Sequence, residues 1–163
     1  MYIPDIPDNN LKPQLEELVY IAQKIDEELE EDDKLSLLFD FNAPVTEEEI
    51  SFLEESLNVS LPIGYREFLL FSNGAQLCGQ CAEFETTLRV IKINQLKKTP
   101  DFPKDYITIA RIIGDGEILC FSKKTGKFIR YYDGREIAFD DFYSVFKWIM
   151  ELIRESVEEY VEL

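Results

Sequence analysis

The stretch from Thr46 to Ala75, TEEEISFLEESLNVSLPIGYREFLLFSNGA, has a local reason for each of its boundaries and reads as two helices joined by a short turn. Thr46 is placed to cap the first turn while Glu49, three residues on, reaches back to close a capping box. Glu47, Glu48 and Glu49 occupy the positive end of the helix dipole. Ile50, Leu53 and Leu57 then recur at helical spacing, Phe52 widens that apolar stripe, and Glu54 and Glu55 face water. Asn58 and Ser60 loosen the helix, and Pro62 suits the first turn of the next one, where its missing N–H is not needed. The second helix presents Tyr65, Phe68, Leu69 and Phe71 until Asn73 and Gly74 supply a left-handed stop.

Around this pair the chain divides by character. Residues 1 to 10 hold Pro4 and Pro7 without periodicity and form a lead-in. Leu11, Leu15, Leu18, Ala22, Ile25 and Leu29 then follow one another at steps of four and three residues, one apolar face of a helix. Its narrow seam is expected to pack on the domain itself; a second copy of the chain is the alternative. The helix is expected to fray in the acidic run Glu30 to Asp33. Lys34 to Phe41, KLSLLFDF, is apolar without a clear period.

After Gly74 the pattern turns strand-like. Residues 77 to 83 read as a loop, Phe84 to Ile93 as a strand, and Asn94 to Lys104, with two prolines, as a loop. Four further strands are predicted at Tyr106 to Ile113, Ile118 to Ser122, Phe128 to Tyr132 and Glu136 to Phe139. Gly114-Asp115-Gly116, a Thr125-Gly126 turn and Asp133-Gly134 separate them. Connections this short force antiparallel pairing. A last helix, about 141 to 160, buries Phe142, Val145, Phe146, Ile149, Leu152 or Ile153, and Val157, with Trp148 at its edge. The expected fold is α+β in a single domain: a largely antiparallel sheet of four to six short strands with helices packed on one side. Residues 1 to 45 form an acidic helical extension packed on or continuous with a domain at 46 to 163.

The formal net charge is -16, and it is uneven: residues 1 to 60 hold 17 acidic and 3 basic residues, a difference of -14, against 16 and 14, or -2, in the remainder. Such a field repels nucleic acid and anionic lipid and speeds association with basic proteins; solubility alone is the plainer reading. Arg89, Lys92, Lys97 and Lys98 are too few and too interrupted by acids for a nucleic-acid groove. No long uncharged apolar run is present, so no membrane span is expected. The first residues lack the basic and apolar segments of a secretory signal, so cytoplasmic localisation is the default. Three cysteines do not make a disulfide framework.

Catalytic chemistry finds few carriers. The chain has no histidine, which removes the usual general base near pH 7 and the commonest zinc ligand. Cys78-Gly-Gln-Cys81 has the spacing of a redox pair or of half a zinc site, but it follows a helix stop and Cys120 is the only other thiol. Ordinary loop and core cysteines are therefore the expectation. The Gly-Asp-Gly run at 114 to 116 lacks the rest of a phosphate or calcium loop. Acidic clusters at 26 to 33 and 47 to 55 are explained by solvated helix faces. No cofactor and no metal site is expected, and Tyr131, Tyr132 and Trp148 are the aromatics placed to be half exposed.

Ile50, Phe52, Leu53 and Glu54, then Leu61-Pro62, Tyr65, Phe68-Leu69 and Asn73-Gly74, together with Gly114-Asp115-Gly116, Thr125-Gly126 and Ile137-Ala138-Phe139 before Phe142, make the chain resemble the SUKH superfamily, the Smi/Knr-like proteins. The resemblance covers about 46 to 153, and its signature residues are read as mainly structural. It implies an α+β fold and no enzyme. Its bacterial branch consists chiefly of immunity proteins that bind and inhibit toxins, often nucleases, made beside them. The expected partner is thus a basic toxin domain, met by stoichiometric contact without direct binding of nucleic acid or membrane. Asp26, Glu27, Glu30, Glu31, Asp32, Asp33, Glu47 and Glu48, with Tyr131 and Tyr132, are the partner-binding candidates. The alternatives are a regulatory scaffold or homodimer joined through Leu15, Leu18, Ile25 and Leu29, and an enzyme using carboxylate or thiol chemistry.

Overall fold

The computed structural model describes residues 1–79, 81–112 and 116–163. Within them the chain forms helices α1 (Lys12–Glu28), α2 (Glu31–Ser36), α3 (Glu47–Leu57), α4 (Ile63–Leu69), α5 (Thr87–Gln95) and α6 (Phe142–Val157). The strands are β1 (Asp40–Phe41), β2 (Ala75–Leu77), β3 (Ala82–Phe84), β4 (Tyr106–Ile112), β5 (Glu117–Ser122), β6 (Phe128–Tyr132) and β7 (Arg135–Phe139). They lie side by side in chain order as one seven-stranded sheet, every neighbouring pair antiparallel. The α+β class and the β4–β7 meander are as expected. The strand count exceeds four to six because β1, β2 and β3 have only two or three residues each, too few to display alternation. The turn expected at Gly114 and Asp115 lies outside the described residues.

Register assigns the two faces of the sheet. Ile107, Phe121, Phe128 and Phe139 stand opposite one another across β4 to β7. Their row faces the helices: Phe121 meets Tyr65 of α4 at 6.1 Å between ring centroids, and Phe128 meets Phe142 of α6 at 5.4 Å. The next row, Thr108, Cys120, Ile129 and Ala138, points to the other face. There the 96–105 loop lays Phe102 against Tyr106 and Tyr131, at 6.2 and 5.0 Å.

Local signals decide most helix starts. Glu49 N–H donates to Thr46 Oγ1 and Thr46 N–H donates to Glu49 Oε1, both at 3.1 Å, so the capping box is formed. Asp141 caps α6 through Ser144 N–H at 2.8 Å. The α6 stripe is buried at Phe142, Val145, Phe146, Ile149, Ile153 and Val157, with Met150 added. In α3 two assignments change. Phe52 is exposed rather than part of the stripe, and Glu54 bends over to accept the Leu61 N–H at 2.8 Å instead of facing water. That bond ties the end of α3 to the start of α4.

Two other stretches depart from the sequence reading. Residues 84 to 93 are not a strand: β3 stops at Phe84, Thr86 caps α5 by accepting from Arg89 N–H at 3.3 Å, and Thr87, Val90 and Ile91 form its buried side. The alternation read there is a short sample of a helical period. Helix α5 completes the sheet where β3 ends, because the Asn94 side chain exchanges hydrogen bonds of 2.7 and 2.8 Å with the C=O and N–H of Thr108, beside a β-bulge. The acidic run after α1 does not simply fray. Leu29 is extended, with ψ 151°, and Glu31, Asp32 and Asp33 fill the first turn of α2, where the dipole favours them.

Helix α1 is part of the core. Leu11, Leu15, Leu18, Ile21, Ala22 and Ile25 are buried in the same apolar cluster as the α4 and α6 residues. Glu17 accepts from Arg154 of α6 at 2.6 Å, and the buried Glu67 of α4 accepts from Asn10 N–H at 2.6 Å and from the Tyr143 hydroxyl. A homodimer through the leucine seam would have to unpack that core.

Helix α4 packs on the start of α6 through Gly64, where an added Cβ would stand 2.7 Å from Phe142 Cβ. Phe142 Cβ is the root of a buried side chain and cannot swing away. Ala ordinarily stabilises a helix over Gly by about 0.5–1 kcal/mol, so a loss here would report the clash. Gly64→Val is expected to destabilise by about 2–3 kcal/mol in urea unfolding, and Gly64→Ala to give no gain. A stabilised Gly64→Ala would contradict this packing.

Candidate partner-binding site

The acidic third of the chain surrounds a cleft. The C-terminal end of α1, helix α2, strand β1 and the first residues enclose about 300 Å³. Tyr2, Leu35 and Leu38, with Met1, are the exposed part of an apolar lining that Ala22, Ile25, Leu37 and Phe39 complete, and Asp26, Glu31 and Asp40, with the single basic side chain Lys34, are its charged residues. Leu35 is 71% exposed and Tyr2 55%, although both are large and apolar. Helix α2 buries none of its six residues, so its apolar side is presented outward. Exposed apolar residues rimmed by charge are what an interaction surface offers.

Among the described residues Glu27, Glu30, Asp32, Asp33 and Asp40 have no ion-pair partner, whereas Asp26 and Glu31, two of the three acids lining the cleft, share Lys34. Lys12 pairs with Asp8, Lys24 with Glu28, and Lys34 with Asp26 and Glu31 at 3.6 and 3.5 Å. Those three lysines are all the basic side chains of residues 1 to 60. Glu27, Glu30, Asp32 and Asp33 are exposed.

The candidate residues named from sequence do not meet in one place. Asp26, Glu27 and Glu30 to Asp33 gather around the α1–α2 break, beside the β1 edge of the sheet. Glu47 and Glu48 sit at the start of α3, where Glu47 takes an ion pair from Arg66. Tyr131 and Tyr132 lie on β6, five strand positions from β1, about 24 Å at the usual spacing. Being consecutive in a strand they point to opposite faces. Tyr131 is half-buried under Phe102, while Tyr132 is exposed. Trp148 is covered by the Arg130 guanidinium at 3.9 Å and by Phe139. Of the signature residues, Ile50, Leu53, Leu61, Tyr65, Phe68, Leu69 and Gly74 are buried. Gly74 adopts φ 71° where any Cβ would strike Phe84 O and the 85–86 peptide. Asn73 accepts from the Thr87 N–H at 2.8 Å. The Tyr65 hydroxyl is buried without a hydrogen-bond partner among the described residues, and burial pushes its pKa up.

Sequence reasoning missed Tyr2, Leu35 and Leu38. The available signal was the apolar run KLSLLFDF directly after the acidic one, whose Leu37, Phe39 and Phe41 alternate inward and leave Leu38 outward.

Among the described residues no group of three Cys, Asp or Glu side chains is arranged to hold a metal ion. No helix in them is long and apolar enough to cross a membrane. Residues 44–162 match the SMI1 / KNR4 family (SUKH-1). The chain belongs to the SUKH-1 family. A 71-residue stretch is 35% identical to the uncharacterized protein YnaB of Bacillus subtilis (strain 168), over 44% of this chain and 46% of that protein. The chain thus matches under half the length of that relative. SUKH proteins include immunity proteins, and the buried signature residues lie inside the SUKH-1 match. Helices α1 and α2 and strand β1, which build the acidic cleft, precede it.

Proposed function

We propose that this SUKH-1 protein is an immunity protein: it binds a co-encoded basic toxin domain one to one, in the cytoplasm, and inhibits it without covalent chemistry. The observation that carries the reading is the acid-rimmed apolar cleft on α1, α2 and β1. A nuclease that grips phosphates needs a basic surface, and an acidic inhibitor docks on that same surface by complementarity, so binding and occlusion of substrate become one event. Leu35, Leu38 and Tyr2 supply the apolar anchor that charge alone lacks, because fully desolvated contacts hold a complex while rim charges mostly steer it.

Co-expression with the toxin domain encoded in the neighbouring reading frame tests this. Cells are expected to survive a toxin that otherwise arrests growth, and the two proteins to co-purify as a one-to-one complex. Raising salt from about 0.05 to about 0.5 M should slow association about tenfold or more. Unrelieved growth arrest, or an association rate indifferent to salt, would count against the proposal.

A further inference from the structure

A second cleft, of about 580 Å³, opens on the other side of α2 and is lined by Leu35, Cys78, Cys81, Leu152, Glu155 and Ser156, among others. We propose that Cys78 and Cys81 are an oxidisable dithiol that a hydroperoxide entering this cleft closes to an intramolecular disulfide.

The turn brings the two residues together. Leu77 of β2 pairs with Ala82 of β3, and Cys81 N–H donates to Cys78 C=O at 3.2 Å. A hydrogen-bonded turn of this kind holds its end Cα atoms within about 7 Å, and disulfides span Cα separations of about 4.4–6.8 Å, so closure needs little backbone movement. The turn is also strapped in place. Gly79 N–H donates to Leu38 C=O at 2.8 Å, and a Cβ on Gly79 would stand 2.3 Å from Ser36 O. Cys78 itself has φ 53°, a left-handed conformation that strains a residue with a Cβ, and both cysteines line the cleft.

The two thiols are not equivalent. Ser156 Oγ is 3.3 Å from Cys81 Sγ; its hydroxyl donates to Leu152 C=O at 3.0 Å and has only to rotate to donate to the sulfur once that is a thiolate. The Cys78 thiol chiefly, and Ser156 in smaller part, hold Cys81 below the usual thiol range, whereas Cys78 is pushed up, chiefly because it faces Cys81. Cys120, buried on the opposite face of the sheet, is pushed up to about 11 by burial. Cys81 is therefore the attacking sulfur and Cys78 the resolving one. The Cys81 thiolate, its proton lost to solvent, attacks one peroxide oxygen. An S–O bond forms, the O–O bond breaks, and the leaving hydroxide takes a proton to become water. The Cys78 sulfur then attacks the Cys81 sulfur, the S–S bond forms, and the S–O bond breaks. The departing hydroxide carries off the Cys78 proton as a second water. The dithiol is oxidised by two electrons and the hydroperoxide, here hydrogen peroxide, is reduced.

Treating the full chain with hydrogen peroxide should lower its intact mass by two hydrogens. Alkylation after denaturation should then find a single thiol, Cys120. Cys78→Ser should stop at a Cys81 sulfenic acid that dimedone captures, while Cys81→Ser should yield neither product. Ser156, a positioning residue, is tested by Ser156→Ala, which should slow oxidation about two- to threefold at pH 7 and move the pH–rate midpoint upward. The mass measurement on the unaltered protein needs no variant to fold. Three free thiols after peroxide, loss of thiols only as disulfide-linked dimers, or oxidation of Cys120 ahead of Cys81 would each overturn the proposal.

Discussion

Phe142→Ala is expected to destabilise the protein by about 3–5 kcal/mol, the usual cost of truncating a buried aromatic. For a chain of this size that is a fall of about 6–20 °C in Tm. The ring is 1% exposed. Its centroid lies 5.4 to 6.0 Å from those of Tyr65, Phe68, Phe84, Phe128 and Phe146. Those rings belong to α4, β3, β6 and α6, so one side chain joins both helices to both halves of the sheet. The cavity is surrounded by other rigid rings and cannot collapse easily, which places the cost toward the upper end. Phe142→Leu, which refills most of the volume, should cost about 1–2 kcal/mol. Urea unfolding of the two variants measures both. A loss under about 1.5 kcal/mol for Phe142→Ala would mean that the aromatic cluster is not the centre of the core.

Neutralising Glu27, Glu30, Glu31 and Asp32 to their amides is expected to weaken the proposed complex with a toxin domain about 100-fold while leaving the fold intact. All four are exposed, and among the described residues only Glu31 has an ion-pair partner, Lys34. Stability should therefore change by less than about 1 kcal/mol. In a complex they would border the anchor made by Leu35 and Leu38. At about 0.5–1 kcal/mol per interfacial charge, four losses sum to about 2–4 kcal/mol. Equal neutralisation of Asp101, Asp133, Glu136 and Asp140, four exposed acids toward the opposite half of the sheet, removes the same net charge away from α2 and should cost about threefold or less. Titration calorimetry of both sets separates local docking from net charge. Equal losses would assign the effect to the global field, and no loss in either would remove the cleft from the interface.

Elements specified by neighbours in the chain were legible. The Thr46 capping box, the Asp133-Gly134 hairpin and the α6 stripe each depend on residues within a few positions of one another, so pattern and outcome coincide. Glu54 shows where that reach stops: its spacing puts it on the solvent side of α3, yet the turn at 58–61 brings the Leu61 N–H within its grasp. The stretch at 84 to 93 failed for a related reason. Ten residues hold too few periods to tell two from 3.6, and the decision belonged to the Thr86 cap and to the edge of β4 that α5 had to complete. The partner candidates were legible as charge and not as a place. Nothing in the local pattern says that the β1 edge gathers one acidic group while β6 holds Tyr131 and Tyr132 about 24 Å away.

From its sequence alone, then, the chain is an α+β protein with its acidic charge in the first 60 residues, and its helical pair at 46 to 75 carries the SUKH signature. These follow from caps, turns and periodicity, which act over a few residues, and from composition, which needs no fold. Only the tertiary structure pairs Asp40 with Gln76 across an intervening pair of helices, turns Leu35 outward between two clefts, and sets Ser156 beside Cys81. Those contacts join residues tens of positions apart, and such pairings exist only once burial of the common core has brought the segments together.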